Sequence, residues 1–166
     1  MNELHKAIFL DRDGVINKER TDYVKTSSEL EILSGVAESI KQLKDAGFLI
    51  IVITNQSAIN RGLTNHDSVK NIHIIIQEYC KRNGTSIDAF FYCPHRPDEN
   101  CNCRKPKSGL LLRAINEFKI DQKSSWMIGD NDSDLEAAKL VGCNSIKIQP
   151  NGGLSEAVRT ILSFTQ

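Results

Sequence analysis

The 166-residue sequence has no surplus of charge of either sign: Lys and Arg number 21, and so do Asp and Glu, so no overall positive field exists to hold nucleic acid or an anionic membrane surface. Any anion it binds must be gripped locally. Glycine and proline are few, 10 and 4, and there is no internal repeat, low-complexity tract or interdomain linker, which excludes the fibrous and disordered classes. Aromatics make up only 6%, and no basic-aromatic stripe is present of the kind that stacks bases, which argues against a nucleic-acid module. The first apolar run, residues 7–10, is broken at once by Asp11-Arg12-Asp13, too short for a signal peptide or a membrane span, so a cytoplasmic location is expected. The five cysteines are odd in number and cannot all pair, and three of them crowd with His95 into residues 93–103, which points to metal binding rather than a disulfide framework. What remains is 40% hydrophobic and 25% charged, the composition of one globular domain spanning residues 1–166.

Apolar runs and helical patterns alternate along the whole chain. Residues 7–10, 48–53, 89–92, 126–128 and 145–148 read as buried strands. Between them, residues 35–46 carry Val36, Ile40 and Leu43 on one helical face, and Thr64 with Asp67 three positions later reads as the N-cap of a helix ending near Arg82-Asn83-Gly84. Further helices are expected over 110–118, 135–141 and 154–164. This order predicts an α/β fold, a Rossmann-like three-layer α/β/α sandwich with a mostly parallel sheet of five or six strands. The long irregular stretches, residues 12–34, 54–63 and 93–108, each begin where a strand ends, at the functional edge of an open parallel sheet.

The first edge reads Leu10-Asp11-Arg12-Asp13-Gly14. Two carboxylates one residue apart, after a buried strand and before a turn-permitting glycine, can face one small volume, where like charges need a cation. Mg²⁺ suits them, because it takes a few carboxylate oxygens and keeps its other positions for water and substrate phosphate. One carboxylate can then attack phosphorus while the other serves as general acid and base. Acidic residues also sit in ordinary turns, so this tetrapeptide needs support. It comes from Thr54-Asn55-Gln56-Ser57, neutral donors and acceptors at the end of the second strand, and from Gly129-Asp130-Asn131-Asp132-Ser133-Asp134 after the fourth. Asp130 is the natural additional Mg²⁺ ligand, while Asp132 or Asp134 either caps the next helix or also meets the metal.

Cys93-Pro94-His95, a five-residue spacer and Cys101-Asn102-Cys103 offer three thiolates and one imidazole. That is a closed four-ligand set of the structural Zn²⁺ type, with no vacancy for chemistry. Arg104-Lys105-Pro106-Lys107 follows directly, so a zinc clamp would hold this positive charge over the active edge. Cys80 and Cys143 read as core residues.

Asp11-Arg12-Asp13-Gly14, Thr54, Lys105 and Gly129-Asp130-x-x-x-Asp134 resemble, in order, the four motifs of the haloacid dehalogenase superfamily of aspartate-nucleophile phosphatases. With Arg61-Gly62 and the Cys93 to Pro106 segment they resemble its zinc-containing branch, which holds heptose 1,7-bisphosphate and histidinol-phosphate phosphatases. The resemblance covers nearly the whole chain. It implies Asp11 as nucleophile, Asp13 as general acid and base, and Thr54 and Lys105 as phosphoryl stabilisers. It implies Mg²⁺ on Asp11, the Asp13 backbone carbonyl and Asp130, Zn²⁺ on Cys93, His95, Cys101 and Cys103, and substrate contacts from Arg12, Asn55, Gln56, Ser57, Arg61, Arg104 and Asn131. Ala58 and Asn60 stand where the heptose enzymes usually carry glycine and alanine, and Asn131 where many carry lysine. The expected reaction is removal of the 7-phosphate of D-glycero-D-manno-heptose 1,7-bisphosphate in nucleotide-activated heptose biosynthesis, by a monomer acting on a small phosphorylated metabolite and on neither nucleic acid nor membrane. Histidinol phosphate is the alternative substrate. A receiver-like signalling domain is the alternative of another class, but there the phosphoacceptor lies on a middle strand of the sequence, whereas Asp11 follows the first and has Asp13 as partner. No cap domain fits in residues 14–47 or before Lys105, so selectivity is expected from residues 18–21, 57–61 and Arg104.

Overall fold

The computed structural model describes residues 3–165. Strands β1 (Ala7–Leu10), β2 (Leu49–Asn55), β3 (Ala89–Cys93), β4 (Trp126–Gly129) and β5 (Asn144–Lys147) alternate with helices α1 (Val36–Asp45), α2 (His66–Arg82), α3 (Gly109–Phe118), α4 (Asp132–Val141) and α5 (Leu154–Phe164). Every strand pair is parallel, in the order β3-β2-β1-β4-β5, so the first strand in sequence lies at the centre of the sheet.

Because side chains of a strand alternate between faces, β1 feeds two cores. Ile8 and Leu10 join Ile50, Val52 and Ile128 on one face, where Val36, Ile40 and Leu43 of α1, Ile72 and Ile76 of α2, and Val158 and Ile161 of α5 cover them. Ala7 and Phe9 join Ile51, Ile53 and Met127 on the other, under Leu111, Ala114 and Ile115 of α3 and Ala137 and Ala138 of α4. Each fully buried Ile, Leu or Phe contributes about 1.5–3 kcal/mol relative to exposure, and the apolar spacing of the helices puts these groups on the inward stripe. The three-layer sandwich is therefore the one the alternation predicts, with five strands.

The chain runs outward from β1 through β2 to β3, then crosses back to β4 on the other side of β1. The loops leaving β1 and β4 thus diverge and open a crevice at their carboxyl ends, the switch point where such sheets bind ligands. Leu10 pairs with both Val52 and Ile128, and Asp11 N–H donates to the Ile128 carbonyl at 3.1 Å, which fixes the first crevice residue to the neighbouring strand.

Two helix starts differ from the sequence reading. Asn65, not Thr64, caps α2, its side chain accepting from Ser68 N–H at 2.8 Å, while the Thr64 hydroxyl donates to the Lys25 carbonyl at 2.6 Å. Helix α4 begins at Asp132, three residues before the apolar stripe, on a capping box between Asn131 and Asp134. Among the described residues no helix is long and apolar enough to cross a membrane.

Candidate active site

Lys105 reaches the crevice from the loop after β3 and is 2% exposed. Its Nζ donates to Asp11 Oδ1 at 3.0 Å, to Asp134 Oδ1 at 2.6 Å and to the Ile53 carbonyl at 2.7 Å, filling all three of its donor positions. Burial alone would discharge this ammonium, but the Asp11 and Asp134 carboxylates outweigh it and hold its pKa above the usual lysine value. Asp11 is 7% exposed, and burial pushes its pKa well above the ordinary range; Lys105 opposes this, while Asp134, Asp13 and Asp130 add to it. One lysine thus faces an excess of carboxylate.

Oxygens of Asp11, Asp130 and Asp134 all lie within 4.8 Å of one another. A set of hard oxygen donors with excess negative charge fits Mg²⁺, and the cation would resolve the repulsion that burial now leaves to protons. Gly14 makes the approach possible: at φ 85° a side chain there would run into the Asp130 carboxylate. Gly129 likewise leaves space that Asp134 fills. Asp134 caps α4 through Oδ2, which accepts from Asn131 N–H at 3.2 Å, while Oδ1 accepts from Lys105 and keeps it in the carboxylate cluster. Asp132 is exposed and pairs with Lys147 at 2.7 Å, outside the crevice.

Asp13 receives only donors. Its Oδ1 accepts from Arg12 Nη2 at 2.9 Å and Asn17 Nδ2 at 3.0 Å, and its Oδ2 from Gln56 Nε2 at 2.8 Å. Burial would raise its pKa, but the Arg12 charge and these hydrogen bonds prevail and hold the carboxyl below the usual range. Arg12 differs from the sequence reading of a substrate contact: it is 0% exposed and not part of the crevice wall, its guanidinium turned to Asp13 and to His73 Nε2 at 3.3 Å.

The crevice has a volume of about 320 Å³, and its wall includes Asp11, Asp13, Asn55, Gln56, Arg104, Lys105 and Asn131 of the expected residues. Glu19, Arg20 and Thr21 also line it, as the capless reading expects, whereas Lys18 points to Glu31 at 3.8 Å. Thr54 is 0% exposed and lies behind this wall, its hydroxyl accepting from Gln56 Nε2 at 2.8 Å. Ser57 and Arg61 are set to the side: Arg61 Nε donates to Ser57 Oγ at 3.3 Å, and the guanidinium lies 5.9 Å from the Tyr23 ring centre. Tyr23, Val24, Ser133 and the buried His73 were not singled out in the sequence. Nothing local marks them, since each is brought to the site, or for His73 behind it, only by the course of its loop or helix.

Cys93, His95, Cys101 and Cys103 converge, again with donor atoms within 4.8 Å of one another. Cys93 Sγ lies 3.7 Å from Cys101 Sγ and 3.1 Å from Cys103 Sγ, beyond any disulfide, and His95 Nδ1 is 3.2 Å from Cys103 Sγ. A tetrahedron with metal–sulfur bonds of about 2.3 Å has edges of roughly 3.7 Å, so this donor set fits Zn²⁺. Although burial works against it, the Arg104 N–H and its neighbours lower the Cys101 thiol to about 7. Burial pushes Cys93 up, the arrangement a cation would reverse. The loop passes its shape to the crevice through Asn55: Lys105 N–H donates to Asn55 Oδ1 at 3.0 Å, and Asn55 Nδ2 to the Lys105 carbonyl at 3.1 Å.

A family model described as HAD-hydrolase-like matches residues 102–157. The D-glycero-β-D-manno-heptose-1,7-bisphosphate 7-phosphatase of Pseudomonas aeruginosa is 37% identical over 147 residues, 89% of this chain and 83% of that one. The enzyme of the same name from Helicobacter pylori strain J99 is 41% identical over 148 residues, covering 89% and 82%. The crystal structure of D,D-heptose 1,7-bisphosphate phosphatase from B. bronchiseptica, complexed with magnesium and phosphate, superposes with a TM-score of 0.89 at 31% identity, over 96% of this chain and 99% of that one.

Proposed function

The chain belongs to the haloacid dehalogenase family of phosphatases, alongside the D-glycero-β-D-manno-heptose-1,7-bisphosphate 7-phosphatases, and from that premise we propose that it removes the 7-phosphate of this sugar bisphosphate, with Asp11 as nucleophile. The observation that carries the mechanism is the meeting of Asp11, Asp13 and Lys105 in one crevice at the switch point of the sheet. The substrate rests on the relatives' names and on Arg104 at the crevice wall, whose guanidinium suits a second, non-reacting phosphate, while the neighbouring Arg20 is paired with Asp22 and Glu29.

In the first half-reaction an Asp11 carboxylate oxygen attacks phosphorus, the bond from phosphorus to the sugar oxygen breaks, and Asp13 gives its proton to the departing oxygen. The three donors on Asp13 keep it ionised at rest; a phosphate dianion placed beside it opposes that charge and favours uptake of the proton it later gives. In the second half-reaction Asp13 takes a proton from water as the water oxygen attacks the aspartyl-phosphate, releasing inorganic phosphate and restoring Asp11. Lys105 steadies the charge on Asp11 throughout, and Thr54 supports Gln56 from behind the wall. Mg²⁺ would be held by Asp11, Asp130 and the Asp13 backbone carbonyl and would offset the charge on the phosphoryl oxygens. Zn²⁺ on Cys93, His95, Cys101 and Cys103 would act only by fixing the loop that carries Arg104 and Lys105. The chain works as a capless single domain with an open active edge.

The test is phosphate release from heptose 1,7-bisphosphate and histidinol phosphate side by side, with the remaining sugar monophosphate identified. Preference for the bisphosphate and loss of its 7-phosphate are expected. Preference for histidinol phosphate would overturn the substrate.

A further inference from the structure

His73 lies in the middle of α2, is 6% exposed, and touches neither the crevice nor the carboxylate cluster. Its ring stacks on Phe90 of β3, with centroids 4.6 Å apart and planes 15° apart, and its Nε2 meets Arg12 Nη1 at 3.3 Å. Arginine has no lone pair to offer, so Nε2 must accept and the ring must be neutral with its proton on Nδ1. Burial and the Arg12 charge keep it so, lowering its pKa to about 3 against a small opposing effect of Asp13.

The guanidinium plane is set at two points, because Arg12 Nε has no partner: Nη1 on His73 and Nη2 on Asp13 Oδ1 at 2.9 Å. A rigid fork held at one end aims the other. From this arrangement we infer that His73 acts through Arg12 as a positioning residue that turns the Asp13 carboxyl for proton transfer. The role rests on the reading of Asp13 as general acid and base. It does not involve contact with substrate, since both His73 and Arg12 are sealed from the crevice.

General-acid help matters for an alkoxide leaving group and little for an acidic phenol, so a displaced Asp13 should show as a dependence on leaving group. The experiment compares p-nitrophenyl phosphate with whichever alkyl phosphate the wild type turns over fastest among sugar phosphates and histidinol phosphate. His73→Phe keeps the stack and removes the acceptor; His73→Gln restores an acceptor. The readout is kcat/KM, which spans only the first half-reaction and leaves out the hydrolysis step common to both esters: for His73→Phe it should fall about 10-fold on the alkyl ester and less than about 3-fold on the aryl ester, and His73→Gln should recover most of the alkyl value. Should phenylalanine disrupt the fold, as a thermal midpoint would show, His73→Leu is read in the same way. Equal losses on both esters, or no recovery with glutamine, would overturn the inference. Asp13→Asn, read by the same kcat/KM, separates the two claims: if it too loses both esters equally, the assignment of Asp13 as general acid fails and the positioning role fails with it.

Discussion

Lys105 Nζ lies 3.0 Å from Asp11 Oδ1, although 94 positions separate the two residues. The contact joins the end of the central strand to the end of the metal-type loop, so the cation that faces Asp11 is only as well placed as that loop. Lys105→Met should therefore lower kcat/KM by about 10²- to 10³-fold, as removal of one charge-stabilising donor does. It should also destabilise the fold by roughly 3–5 kcal/mol, because Asp11 and Asp134 would be left buried without their partner. Steady-state kinetics and urea denaturation check the two effects separately.

Removal of zinc should loosen residues 93–108 and lower activity without abolishing the Mg²⁺ requirement, since the two ligand sets share no residue. Elemental analysis of protein purified without added metal should find about one zinc per chain. Free titration of all five cysteines in such protein, with no zinc present, would refute the site.

Arg104 lines the crevice and is braced by the His95 carbonyl, to which its Nη1 donates at 3.4 Å. Arg104→Ala should reduce kcat/KM for a sugar bisphosphate by about 10- to 100-fold, roughly 1.4–2.7 kcal/mol, and for a small monoester much less. Equal losses would place Arg104 in the chemical step.

His73 should make stability fall as pH falls, an effect isolated by comparing the wild type with His73→Gln. Its folded-state pKa, about 3, lies below the unfolded value near 6.5, so the unfolded chain binds the extra proton first and stability drops as pH falls from about 6.5 toward 3. The groups that face the ring are Arg12, Asp13 beyond it, Phe90 and Tyr92. Urea denaturation at pH 7 and pH 5 should show a loss about 2 kcal/mol greater in the wild type than in His73→Gln.

How much of this was legible in the sequence depends on how far each residue's partner lies along the chain. The continuous apolar runs of β1 and β2 and the stripe Val36, Ile40, Leu43 carry their own burial pattern, so strands, helices and sheet class follow from them. The zinc-type ligands sit within eleven residues and the carboxylates at strand ends, so both clusters were visible before their geometry. Arg12 was not: beside Asp11 it reads as a substrate contact, yet its partner His73 lies 61 positions away and draws the guanidinium inward. Thr64 and Asn65 are equally good caps by type, and only a contact with Lys25, 39 positions off, diverts the threonine. The crevice wall at Tyr23 and Val24 comes from an irregular loop with no periodicity to read.

The most direct test of Asp11 as nucleophile uses Asp13→Asn with p-nitrophenyl phosphate, whose acidic leaving group needs no proton, so the enzyme can be phosphorylated but slowly dephosphorylated. Acid-quenched protein is digested and the peptide containing Asp11 examined by mass spectrometry. One phosphoryl group on Asp11 is expected, absent from Asp11→Asn/Asp13→Asn. Release of nitrophenol with no adduct, or with the adduct on another residue, would contradict the mechanism.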